Sequence, residues 1–164
     1  MCDEALAWNR QYAMLGGDWS PFWHDAIDLL GMENLHFKMY DEPGLLDAVL
    51  QHVVDYYAAV SRHLFDAAAD ALDIFLIGND FGSQTGPLLS PAQFDRFILP
   101  LLARLIDLGH AYHLPVQLHC CALPTALQTL ARARAGESME CGGKRSATPL
   151  WLSPGAIIAV DHGV

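Results

Sequence analysis

Asp73-Ile74-Phe75-Leu76-Ile77-Gly78-Asn79-Asp80 holds an unbroken apolar run of strand length, opened by an acid and closed by a glycine and two turn formers. So short and continuous a run suits a strand covered on both faces, as in a parallel sheet. Further along, Pro115-Val116-Gln117-Leu118-His119 reads as the next strand. Between them Ser90-Pro91 opens a helix through Phe94, Phe97, Ile98, Leu101, Leu102, Leu105, Ile106 and Leu108, with Pro100 expected to kink it. Strand, helix, strand is the βαβ order of a parallel α/β sheet. Periodicity leaves both an open doubly wound sheet and a closed barrel standing.

Working back toward the N-terminus, Leu45, Leu46, Val49, Leu50, Val53, Val54, Tyr57, Val60, Leu64 and Phe65 recur three and four apart. That spacing predicts a long amphipathic helix. Before it, Glu33 to Tyr40 reads as a short helix that stops at Asp41-Glu42-Pro43. Ser20-Pro21 reads as the start of another, whose apolar stripe Phe22, Trp23, Ala26, Ile27, Leu29 and Leu30 ends at Gly31. Past Cys121 the pattern fades. Leu123 to Ala133 has some helical character, but from Gly136 onward glycine, Pro149 and Pro154 break any period until Ala156-Ile157-Ile158-Ala159-Val160.

The 164 residues are 52% apolar and 17% charged, enough for one domain with a buried core. No apolar run approaches the roughly 18 residues of a membrane span. Met1-Cys2-Asp3-Glu4 lacks the basic start of a secretory signal, so a soluble cytoplasmic protein with no membrane partner is expected. The net charge of −10 excludes a phosphate-tracking surface, and no nucleic-acid partner is expected. Cys2, Cys120, Cys121 and Cys141 do not form a disulfide framework, and reduced thiols are the default reading.

In a parallel α/β sheet the residues just past the carboxyl ends of the strands face the substrate. Two segments qualify, Gly78 to Gln84 and His119-Cys120-Cys121. Asp80 is the candidate catalytic carboxylate, able to orient a substrate or a histidine; a turn aspartate bonding its own backbone is the competing reading. Asn79, Gly82 and Gln84 are candidate substrate contacts. His119 and Cys121, one residue apart on a strand, share a side and could hold zinc through imidazole and thiolate. A buried histidine beside two small thiols is the alternative, and a third zinc donor is not evident.

Gly78-Asn79-Asp80-Phe81-Gly82-Ser83-Gln84-Thr85-Gly86-Pro87-Leu88-Leu89-Ser90-Pro91, then Phe94-Asp95-Arg96-Phe97-Ile98-Leu99-Pro100, then Leu118-His119-Cys120-Cys121, resembles the uroporphyrinogen decarboxylase superfamily. Leu30-Gly31-Met32-Glu33-Asn34-Leu35 and Glu42-Pro43 fit the same pattern, and the resemblance runs from about Trp19 to Cys121. It implies an α/β fold, a partial (β/α)8 TIM barrel with long amphipathic helices and at least two parallel strands. On this reading 1–18 is a lead-in, 19–135 the partial barrel, and 136–164 an atypical tail, frame-shifted or disordered.

The superfamily implies two activities. One branch comprises zinc methyltransferases that move a methyl group between a corrinoid on a partner protein and a thiol, using a His-x-Cys motif that His119 and Cys121 match and a later cysteine with no clear counterpart here. The other comprises cofactor-free decarboxylases of tetrapyrrole acetate groups, which use an aspartate whose segment is absent and a tyrosine at a position held here by Asp28. Methyl transfer is therefore the leading expectation, with the decarboxylase and an inactive barrel fragment as alternatives.

Overall fold

The computed structural model describes residues 2–9, 11–19, 21–83, 86–119 and 157–160. In chain order these form α1 (Cys2–Asn9), β1 (Leu15–Asp18), α2 (Trp23–Leu30), α3 (Met32–Asp41), α4 (Pro43–Ala68) and β2 (Ile74–Gly78). Then come the short strands β3 (Gly82–Ser83) and β4 (Gly86–Pro87), α5 (Pro91–Gln93), a π-helical turn Phe94–Ile98, α6 (Leu99–Ala111), β5 (Val116–His119) and β6 (Ile157–Val160).

The sheet runs β1-β2-β5-β6, and every neighbouring pair is parallel. Each new strand is added on the same side of the last. Among the described residues the order does not reverse, as in an arc of a (β/α)8 barrel and as on either side of the switch point of a doubly wound sheet. β1 lies in the segment expected to be a lead-in. Its sequence Leu-Gly-Gly-Asp carries no apolar run, and it joins the sheet because glycine permits close approach: a Cβ on Gly17, at φ +126, would overlap the Leu76 carbonyl oxygen. The Asp73 carboxylate ties this segment down, with Oδ2 accepting from Asn9 Nδ2 at 2.7 Å and from the Met14 backbone N–H at 2.8 Å.

The core lies between the sheet and the helices. From α4, Leu46, Leu50, Val53, Val54, Ala58, Ser61 and Phe65 are buried, whereas Leu45 and Val60 of the expected stripe are exposed. On α2 the stripe likewise loses Leu29, which is 68% exposed. The apolar run at β2 is covered unequally. Phe75 and Ile77 are buried, Phe75 against Phe65 with centroids 4.9 Å apart, while Ile74 and Leu76 are half-buried. Their register partners repeat this, with Val116 and Leu118 buried and Gln117 half-buried. The helices cover one face; the other is the inner face of the arc, where a barrel keeps its interior layers.

The expected kink near Pro100 takes a different form. Pro100 stands two residues into α6, which continues without a break from the π-helical turn Phe94–Ile98, so the irregularity lies in the turn just before the proline, where its ring and missing N–H disturb the helix. Two ion pairs brace this segment against α4, Arg104–Asp55 at 2.6 Å and Arg96–Asp47 at 3.9 Å.

Candidate active site

β1, β2 and β5 end side by side, and the residues that follow meet there. Gly78 pairs with His119 across the β2–β5 ladder, and the Asn79 backbone N–H donates to the His119 carbonyl at 3.0 Å. Asp80 follows β2 and is 40% exposed, with Oδ1 3.5 Å from Nε2 of His119, which is only 6% exposed. Trp19, the first residue past β1, lies over the other side of this pairing: its indole stacks on the His119 ring, centroids 4.5 Å apart and planes inclined 27°. A nearly buried imidazole is thus held between a carboxylate and an aromatic plate at the carboxyl ends of three parallel strands. Such an imidazole can ligate a metal, accept a proton or donate one, and the carboxylate beside it can select the ring nitrogen that carries hydrogen.

Asp80 and His119, singled out in the sequence, are brought together. Asn79 is 2% exposed, unlike its neighbour Asp80, and its side-chain amide has no hydrogen-bond partner among the described residues. An orphaned amide so close to strand ends marks a place where a polar group of a ligand, or a water, would be stabilised. Gly82 is buried and opens the β3–β4 hairpin opposite Pro87. Phe81 anchors that hairpin against Phe22, Trp23 and Phe94, with centroids 6.3, 6.0 and 5.3 Å away. Gln84 and Cys121 lie outside the described residues.

Trp19 is the site residue that sequence reasoning missed. Its only signal was position, one residue past a strand, and that strand has no apolar run by which to be recognised. Among the described residues no three His, Cys, Asp or Glu side chains come together as a metal site would require. His119 has the donor chemistry and the neighbouring carboxylate that zinc ligands commonly have.

The family model for uroporphyrinogen decarboxylase (URO-D) matches residues 7–138, most of the chain. The chain belongs to the URO-D family. No curated protein and no solved structure matches it. The URO-D fold is a TIM barrel, and the sequential parallel strands are an arc of it. The match begins before β1, so the URO-D domain takes in that strand as well as the motifs around Asp80 and His119. No helix among the described residues is long and apolar enough to cross a membrane.

Proposed function

We propose that this URO-D family chain carries part of the active site of a zinc-dependent methyltransferase that moves a methyl group between a corrinoid on a partner protein and a small thiol. The observation that carries the reading is the Asp80–His119 pair at the strand ends, 3.5 Å apart, with the imidazole nearly buried. His119 and Cys121 would be two of the ligands. Zinc bound there would lower the pKa of a thiol and keep it as a nucleophilic thiolate. Asp80, 3.5 Å from Nε2, would set the ring tautomer of His119. The Asn79 amide offers its Nδ2 hydrogens as donors and its Oδ1 as an acceptor to the polar part of the substrate. The protein would act in the cytoplasm.

A second reading, decarboxylation of a tetrapyrrole acid, draws on the same pair. Loss of carbon dioxide leaves a carbanion that must take up a proton, and a half-exposed carboxyl beside an imidazole can supply one.

Metal content separates the two. The purified chain is expected to hold about one zinc, lost in His119→Ala and Cys121→Ser and kept in Cys120→Ser, because only alternate residues of a strand share a side. A folded chain without zinc overturns the methyltransferase reading, and release of carbon dioxide from a tetrapyrrole acid would then establish the other.

A further inference from the structure

We propose that Trp19 is the positioning residue for His119, setting the plane of the imidazole and closing one of its faces to water. The inference deepens the proposed function in that it rests on His119 belonging to the site, whichever chemistry the site performs.

β1 and β5 are not neighbours; β2 lies between them. Two strand spacings are roughly 10 Å, more than a side chain easily spans across an occupied strand. The contact exists because the intervening residue is Gly78. The Trp19 backbone lies directly over it, and a Cβ on Gly78 would overlap the Trp19 carbonyl oxygen. Gly78 is the register partner of His119, so a main chain seated on Gly78 delivers its side chain to the next strand. The indole then meets the imidazole face to face at 4.5 Å, within the range of offset stacking. His119 has only 6% of its side-chain surface exposed while Trp19 is itself 58% exposed, so the indole forms the lid over the ring and not part of the core. With Asp80 near Nε2 and Trp19 against the face, both the direction and the plane of the ring are set.

The test is acylation of His119 by diethylpyrocarbonate in the metal-free chain, read by peptide mass mapping against exposed His63 in the same sample. Stripping the metal keeps the outcome independent of whether zinc binds. Trp19→Leu, which keeps apolar bulk without a flat ring, is expected to speed acylation of His119 several-fold while His63 is unchanged; Trp19→Phe is expected to restore the slow rate. Equal His119 rates in Trp19→Leu and the unaltered chain overturn the proposal, as do equal rates in the Leu and Phe variants, which would reduce Trp19 to a filler of space. Should Trp19→Leu fail to fold, the unaltered chain decides by NMR. A stacked His119 ring proton lies upfield of the other histidine ring protons, and one at the ordinary position overturns the stacking.

Discussion

Tyr57 of α4 holds its proton more tightly than an ordinary phenol, first because burial disfavours the phenolate, then because the hydroxyl bonds Asp25 and faces the negative charge of Asp18. The folded chain therefore keeps this proton at a pH where the unfolded chain has begun to lose it. The resulting stability is complete below about pH 10, the ordinary phenol value, and declines as pH rises beyond it. Thermal melts between about pH 8 and 11 should show a steeper alkaline decline for the native chain than for Tyr57→Phe. Parallel declines would mean that Tyr57 ionises as an ordinary phenol. Asp25 and Asp18 flank the start of α2 and the end of β1, so this phenol joins α4 to the strand that leads to Trp19.

Helix α5 shows how an element can be read from its cap. Ser90 accepts at Oγ from the Gln93 backbone N–H at 3.3 Å, and the Gln93 side chain accepts in return from the Ser90 N–H at 3.0 Å. This is a capping box, and Gln93 Nε2 also donates to the Tyr40 hydroxyl at 2.9 Å, joining α5 to α3. Ser90→Ala should cost about 1 kcal/mol in urea unfolding, and Gln93→Ala more, since it loses the contact with Tyr40 as well. Equal costs would show that the Tyr40 contact contributes nothing. The Ser-Pro start was legible in sequence, as was the long helix after Glu42-Pro43. The π-helical turn was not, because a widened turn uses the same apolar spacing as an ordinary one over so few residues.

In the sheet, β2 is paired on both sides, whereas β1 has one partner among the described residues. Amide hydrogen exchange in this chain should therefore be slower in Ile74–Gly78 than in Leu15–Asp18, on the order of tenfold or more. Equal rates would mean that the sheet opens as one unit. Strand order is a property of the assembled sheet. One βαβ unit is common to barrels and doubly wound sheets, and the difference appears only when further strands are laid beside it.

The sequence by itself determined the parallel α/β class, the long helix, the two apolar strands and the residues past their ends, because those signals are local: period, run length and the turn chemistry of glycine, proline and asparagine. It also determined family membership, since the URO-D family model matches residues 7–138 of the sequence. The barrel followed from that membership; only the tertiary structure decided the strand order, that Leu15–Asp18 is one of the strands, and that Trp19 reaches His119 across Gly78. These depend on which strands lie side by side and how closely two backbones approach. A glycine-rich strand owes its place to the space it leaves, and that space is defined by its neighbours.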